Sequence, residues 1–498
     1  MYVIPAEFPM LSRRRLLQIS GGLALSAATP AYARQSVSED WSGDIEILRQ
    51  AWQAMHPGLY RYSSPDEIAA RLEGLSAAWK APGSFRDRFL ALTRVTASVR
   101  CGHTYPSPYN GGAAVRDRLY PGRELLPFRY VWIDGRMVVT VDQSAEGLFP
   151  RGTGIAAIDG VATPDILSRL IPLARADGHN DAKRISLMAV RGDDAYETAD
   201  IHLPLVLPGL VDRASFTLAD GRTVTAALLT LAERQAKSPS AVQPTGDANP
   251  WTLDKGADGV ARLTMPGWAL YNSTFDWRTW LGGVMDDLTG DGARGLIVDL
   301  RGNEGGEDCG DVILTRLVDR DFAPSRSQRF VRYRRAPEAL DPYLNTWDRS
   351  FLDWGDQAVA DTERPGFYRL TRYDDGEAAT LIRPAGRRFT GPVAVLCDAS
   401  NSSATFSFAQ SVQESRTATL IGTPTGGNRR GINGGAFCFL RLPASRIEVD
   451  LPLIASFPEV PQPDAGIEPD LHVPTTAADI AAGADPQMAA ATARILSA

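Results

Sequence analysis

The chain has 498 residues, of which 44% are hydrophobic and 22% are charged. A chain of this length exceeds one typical domain, and its composition is that of a soluble globular protein rather than of a disordered or collagen-like one. A formal net charge of -7 and a pI near 5.5 oppose broad attraction to nucleic acid or to an anionic membrane surface, so we expect no nucleic-acid partner.

The N-terminus has the features of an export signal. The run Arg13-Arg14-Arg15 precedes a short apolar stretch, Ile19 to Ala28, and the motif Ala31-Tyr32-Ala33. Paired arginines, a short apolar stretch and an A-x-A cleavage site are typical of a twin-arginine signal peptide. We therefore predict a signal over residues 1–33 and a periplasmic or secreted mature protein. The apolar stretch is too short to span a bilayer, so we expect no stable membrane insertion.

Apolar residues recur at helical spacing from Ser42 to Val99. Pro65 marks the start of the second repeat of this pattern, and Ser84 with Asp87 forms a capping pair before the third. The pattern predicts three amphipathic helices in an N-terminal helical subdomain over residues 38–105.

The pattern then changes to one typical of strands. Two apolar runs flank Asp134-Gly135, and a second hairpin signal occurs at Asp220-Gly221. These features predict a β-rich module over residues 120–240. The stretch from Lys237 to Pro250 is rich in Pro, Ser, Gln, Gly and Asn, which is typical of a linker or loop.

Beyond the linker, buried-type strands alternate with helical stretches. The strands are predicted at residues 295–300, 392–397 and 418–422. Such alternation indicates an α/β domain with parallel strands, which we place at residues 250–480.

Two loops that follow these strands carry residues suited to catalysis. In the first, Gly305 and Gly306 can point backbone N–H groups at a developing negative charge. The second joins a strand to a helix, where a serine is exposed and the Ala404 N–H lies at the helix N-terminus. An ordinary turn and a helix cap are the alternative interpretations of these loops.

At these loops the sequence resembles the tail-specific, or C-terminal-processing, serine peptidase family, which includes the tricorn-core branch. The first loop reads Asp299-Leu300-Arg301-Gly302-Asn303-Glu304-Gly305-Gly306, and the second contains Asn401-Ser402-Ser403-Ala404. The resemblance implies a crotonase/ClpP-like α/β catalytic domain with Ser403 as the nucleophile. Ser402 is the alternative nucleophile. It also implies oxyanion donors at Gly305, Gly306 and Ala404, and a PDZ-like character for the β-rich module, where Gly154 to Gly160 is similar to a family strand.

The residue at the position of the general base differs from that in the best-known branch of the family. Asn428 stands where that branch has a lysine, and no lysine occurs after Lys255, so a Ser-Lys dyad cannot form within this domain. Histidine is the natural substitute because its pKa suits proton transfer at neutral pH. The resemblance to the tricorn-like branch implies His103, in Gly102-His103-Thr104, as the base and Asp464 as its acid. Glu459 and Glu468 remain open for the acid.

The sequence therefore predicts an exported serine peptidase that hydrolyses peptide or protein substrates without a metal or cofactor. Two other functions remain open, namely a serine esterase and a catalytically inactive binding protein on the same fold. Phe406 and Asn428 motivate the inactive protein, because both replace residues common in the peptidase branch. The oligomeric state and a bridge between Cys101 and Cys309 also remain open.

Overall fold

A computed structural model describes residues 41–109, 112–237, 246–325, 327–373 and 381–498. The predicted export signal lies outside the described residues, as does most of the predicted linker. No helix in the described part of the chain is long and apolar enough to cross a membrane.

The N-terminal segment contains the three predicted helices. The elements of this segment are α1 (Ser42–Met55), α2 (Pro65–Lys80), α3 (Phe85–Ser98), β1 (Pro106–Ser107) and α4 (Gly112–Leu119). Ser64 and Ser84 each accept a hydrogen bond from the backbone three residues later in a capping box, which fixes the starts of α2 and α3. His103 lies in the turn between α3 and β1, beyond the helix end that its sequence position suggested.

The next segment, which we call the middle module, is built on an antiparallel sheet in the order β2-β3-β4-β6-β7, with β5 paired to β4. Its elements are β2 (Phe128–Ile133), β3 (Arg136–Asp142), β4 (Gly154–Ile158), β5 (Val161–Ala162), α5 (Thr163–Leu170), α6 (Asp181–Leu187), α7 (Thr198–Val206), β6 (Arg213–Leu218), β7 (Thr223–Ala227) and α8 (Leu231–Lys237). Asp134 and Gly135 both have positive φ, +50° and +73°, as the predicted hairpin turn between β2 and β3 requires.

The remainder of the chain forms two further sheets with helices around them. Its elements are β8 (Thr252–Lys255), β9 (Val260–Thr264), α9 (Trp277–Gly290), β10 (Gly295–Asp299), α10 (Cys309–Leu317), β11 (Ser327–Val331), β12 (Leu344–Asn345), β13 (Ala358–Ala360), β14 (Tyr368–Leu370), β15 (Val393–Cys397), α11 (Ala404–Ser415), β16 (Thr419–Gly422), β17 (Asn433–Arg441), β18 (Glu448–Pro458), β19 (Leu471–His472), α12 (Ala477–Ala482) and α13 (Pro486–Leu496).

One of these sheets has the order β19-β16-β15-β10-β9-β8, and every pair except β8 with β9 is parallel. The central strands β10 and β15 are fully buried, because helices cover both faces of the sheet. The mixed α/β fold predicted from the sequence is therefore confirmed. Because β10 and β15 are parallel neighbours, the loops that follow them emerge side by side at one edge of the sheet.

The other sheet joins the N-terminal helices to residues 250–480, the predicted catalytic region. Strand β1 pairs with β18, and Pro106 lies opposite Val449. The carboxylate of Asp44 in α1 accepts hydrogen bonds of 2.8 Å from the backbone N–H groups of Ala444 and Ser445. The helices share one apolar core with β17 and β18. These contacts place the turn that carries His103 against the catalytic region.

Candidate active site

The two predicted catalytic loops are bonded directly to each other. The side-chain amide of Asn401 donates to the carbonyl oxygens of Leu300, at 2.6 Å, and of Asn303, at 3.0 Å. The hydroxyl of Thr405 also donates to the Asn303 carbonyl, at 3.0 Å. Asn401 and Thr405 are buried, so these bonds are shielded from competing water. These bonds within the motifs hold the two loops side by side.

Ser403 occupies a strained position at the junction of the second loop with α11. Its backbone has φ +53° and ψ −125°, a conformation that non-glycine residues rarely adopt. Although it holds the N-cap position, its side chain makes no capping hydrogen bond. A strained strand-to-helix turn that exposes a serine hydroxyl is the geometry of a nucleophile elbow.

Ser402 differs from Ser403 in both exposure and bonding. It is only 9% exposed, whereas Ser403 is half-buried. Its hydroxyl donates to the carbonyl oxygen of Glu304 at 3.3 Å. The Ser402 hydroxyl therefore links the two loops, whereas the Ser403 side chain makes no capping bond.

The predicted oxyanion donors divide into two roles. The N–H of Gly305 already donates to Oδ1 of Asn303 at 2.9 Å. A Cβ atom on Gly305 would lie 2.9 Å from Cβ of Ser403, so glycine is needed there for close approach. The N–H groups of Gly306 and Ala404 have no hydrogen-bond partner among the described residues. These two groups, rather than Gly305, are free to bind an oxyanion.

His103 lines a cavity of about 150 Å³ that also reaches Ser402, Glu304 and Lys183. Its Nδ1 is buried without a hydrogen-bond partner, and its ring packs against Phe437 with centroids 5.4 Å apart. No hydrogen bond joins the described side chains of His103 and Ser403. Catalytic hydrogen bonds often form only when substrate binds, so the missing bond does not exclude His103 as the base in the complex.

The electrostatic surroundings of His103 favour its neutral form. Burial lowers the pKa of His103 below its usual value of 6.5, and the nearby carboxylate of Asp177 only partly opposes this effect. A carboxylate oxygen of Asp177, a ring nitrogen of His103 and Sγ of Cys101 lie within 4.8 Å of one another. Asp177 also accepts a hydrogen bond of 2.9 Å from the Gly102 N–H.

The cluster of Cys101, His103 and Asp177 is the group of described residues whose donor atoms lie close enough to share a metal ion. Burial raises the pKa of the Cys101 thiol to about 11, so the thiol is protonated at neutral pH. Cys101 and Cys309, whose pairing the sequence left open, are both free thiols in the structure.

Asp464, predicted as the acid for His103, contacts a different histidine. Its Oδ2 lies 2.5 Å from Nδ1 of His179, and its Oδ1 accepts hydrogen bonds from the His179 N–H and from Nδ2 of Asn428. Asp464 meets His179 because of the tertiary structure, in which the loop before α6 brings Gly178 directly against the Asp464 carboxylate. The alternatives Glu459 and Glu468 are exposed.

Lys183 is the functional candidate that sequence reasoning missed. Lysine was excluded only from the residues after Lys255, but α6 of the middle module brings Lys183 into the same cavity as His103. Its Nζ donates to the carboxylate of Glu304 and, at 3.0 Å, to the carbonyl oxygen of Ser400. No local sequence signal marks this lysine, since its partners lie more than a hundred residues away.

Known proteins share the family of part of this chain and the fold of most of it. Residues 259–434 match the model of peptidase family S41. Mature CPAF complexed with lactacystin aligns with a TM-score of 0.57 and 15% identity, covering 89% of this chain and 95% of that one. Mature CPAF alone aligns with a TM-score of 0.54, 15% identity and coverages of 89% and 94%. No curated protein matches the chain.

The matched region contains both catalytic loops, and the similar structures share the fold over most of the chain. Over residues 259–434 the chain matches peptidase family S41, and it is a serine-type peptidase. The family predicted from the two loops is confirmed.

Proposed function

We propose that the protein is an exported peptidase that hydrolyses peptide bonds through an acyl-enzyme on Ser403, with His103 as the general base. The strained backbone of Ser403 carries this proposal. Strain of this kind persists only when its surroundings enforce it, and here it brings Cβ of Ser403 beside Gly305, next to the Ala404 N–H. The comparison with family S41 supports the reaction class.

In the first half of the reaction, neutral His103 takes the hydroxyl proton of Ser403 as Oγ attacks the substrate carbonyl carbon. The resulting oxyanion accepts hydrogen bonds from the N–H groups of Gly306 and Ala404. Its collapse breaks the C–N bond, and the imidazolium returns the proton to the leaving amine. In the second half, His103 deprotonates a water that hydrolyses the acyl-enzyme and restores Ser403.

The carboxylate best placed to stabilise the His103 imidazolium is Asp177. It lies beside the ring, and its negative charge raises the pKa of His103 against the effect of burial. We therefore propose Asp177 for the electrostatic role that the sequence suggested for Asp464. The hydrogen bond between Asp177 and Gly102 holds the carboxylate against the turn that bears His103.

Labelling with a fluorophosphonate tests the nucleophile. We expect one adduct, mapped to Ser403 by mass spectrometry, and loss of both labelling and peptide hydrolysis in S403A. S402A is the matched control, because its hydroxyl is bonded within the loop. An adduct on Ser402, or a folded protein that takes no label, would contradict the proposal, and the second result would favour the inactive binding protein. Turnover of short esters without peptides would indicate an esterase.

We propose export of the protein on the basis of the signal predicted over residues 1–33. Replacing both Arg13 and Arg14 by lysine should leave the full-length precursor in the cytoplasm, since the twin-arginine route reads the arginine pair. Cell fractionation and N-terminal sequencing measure this outcome. A mature protein that begins at residue 34 in the exported fraction supports the proposed cleavage site, whereas unchanged export of the Lys-Lys variant would contradict the route.

A further inference from the structure

The polar contacts of Lys183 connect the middle module to both catalytic loops. Lys183 is only 4% exposed, which is unusual for a lysine. Glu304, one of its partners, directly precedes Gly305 and Gly306, while Ser400, the other, lies three residues before Ser403. A single ammonium group therefore bonds to the loop that supplies the Gly306 N–H and to the loop that supplies the nucleophile.

The start of α6 is itself fixed to the catalytic region. The side chain of Asn180 caps the helix by accepting the Lys183 N–H at 3.1 Å. The Asn180 amide also donates to the carbonyl oxygens of Thr425 and Gly427, both at 2.8 Å. The backbone from which Lys183 extends is thus anchored, and its side chain does not have to be ordered at the moment of reaction.

The side-chain nitrogen of Lys183 pairs with a carboxylate that its surroundings keep ionised. Burial opposes ionisation of Glu304, but the positive charges of Lys183 and Arg175 outweigh it and lower the pKa of Glu304 to about 2. An ammonium that donates to this carboxylate and to the Ser400 carbonyl has no lone pair with which to accept the serine proton. General base catalysis remains with His103, which shares the cavity.

We infer that Lys183 is a positioning residue of the middle module that sets the separation of the Gly306 and Ala404 N–H groups by holding Glu304 and Ser400 together. This inference rests on the proposed function, because the two N–H groups form the oxyanion site of that mechanism. Removing the ammonium takes away the bonds that join Glu304 to Ser400, so the two N–H groups lose part of what fixes their separation, although Arg175 still lies 3.7 Å from the Glu304 carboxylate.

The test compares K183M with wild type and with K255M. Methionine keeps most of the apolar stem of Lys183 and removes the charge. Lys255, whose exposed side chain pairs with Asp291, is the matched control. We expect K183M to lower kcat by about 10- to 100-fold with little change in KM, as a displacement of about 1 Å can cost ~10²-fold in rate. K255M should retain wild-type kcat.

A double variant distinguishes the loss of the Lys183–Glu304 pair from a general loss of stability. If Lys183 acts through Glu304, K183M/E304Q should lose no more activity than K183M alone, because the pair between the two residues is already broken in K183M. Additive losses, or a kcat of K183M within twofold of wild type, would overturn the inference.

Hydrogen exchange distinguishes failure of this inference from failure of the proposed function. Peptides that cover residues 301–306 and 398–404 should exchange faster in K183M than in wild type, whether or not the enzyme turns over. If wild type hydrolyses no peptide, faster exchange still supports the positioning role of Lys183. Unchanged exchange in both segments contradicts it.

Discussion

His103 and His179 lie in contrasting environments near the catalytic loops. The side chain of His179 is 57% exposed, and its Nδ1 lies 2.5 Å from the Asp464 carboxylate. The ring of His103 faces the cavity beside the loop that contains Ser402, and its Nδ1 has no hydrogen-bond partner. The pair of His179 and Asp464 resembles the histidine and acid of a catalytic triad. His103 lacks such a partner at Nδ1 among the described residues, but it lines the cavity.

If His103 is the base, as we propose, the carboxylate–imidazole pair of Asp464 and His179 is structural rather than catalytic. Asp464 and His179 tie the loop before α6 to the catalytic region, together with the bond from Asn428 to Asp464. A general base must lie within reach of the proton that it removes. We therefore choose between the two histidines by their position relative to the catalytic loops and not by whether each has a carboxylate partner. The following three predictions test this interpretation of the two histidines.

The largest effect should come from removing His103. We expect H103A to lower kcat/KM for peptides by at least about 10³-fold, since His103 is the general base of the proposed mechanism. H179A should stay within about tenfold of wild type, because a displaced loop can cost that much without loss of the base. Steady-state kinetics with one peptide measure both variants. The reverse ranking would make His179 with Asp464 the catalytic pair.

A smaller effect should follow from removing the charge of Asp177. His103 must be neutral to act, so the rate falls as the pH drops through its pKa, which lies below 6.5 in wild type. D177N removes the charge that raises this pKa, so the acid limb should move to lower pH. Arg175, Glu304 and Lys183, the other charges acting on His103, are unchanged. The plateau should fall about tenfold, as the imidazolium loses its carboxylate.

The pH dependence of kcat/KM measures this shift, with D464N as the matched control. We expect D464N to leave the acid limb in place, since Asp464 does not contact His103. A shift in D464N and none in D177N would restore Asp464 as the acid of the site.

The smallest effect should be on stability. Burial opposes ionisation of Asp464, but hydrogen bonds from the His179 backbone and ring and from Asn428 outweigh it and lower the pKa. A carboxyl group with a lowered folded-state pKa stabilises the protein above its unfolded pKa and loses that contribution as the pH falls through the folded value. D464N should therefore cost about 1 kcal/mol at neutral pH.

Thermal unfolding of D464N and wild type at several pH values measures this contribution. The difference between their midpoints should shrink as the pH falls below about 3.9, where the unfolded aspartate takes up its proton. E468Q, at an exposed glutamate, should show no such difference. A gap for D464N that is independent of pH would mean that the carboxylate charge does not stabilise the fold.

The sequence by itself determined the features that depend on local chemistry. Capping boxes at Ser64 and Ser84 and the Asp134-Gly135 turn are set by residues a few positions apart, so their helices and hairpin lie where the sequence predicts. The loops after β10 and β15 were found in the same way, because an apolar strand followed by glycines or serines is a contiguous pattern. Domain boundaries, export and the roles of the site residues remain predictions.

Only the tertiary structure decided which distant side chains meet. Lys183 reaches Glu304 across 121 positions, and Asp464 reaches His179 across 285, so no spacing rule could pair them. The strained φ of Ser403 is likewise imposed by the packed loops around it and not by its own preference. Long-range contacts of this kind depend on how the middle module docks against the sheet, and that docking is a property of the whole fold rather than of any segment.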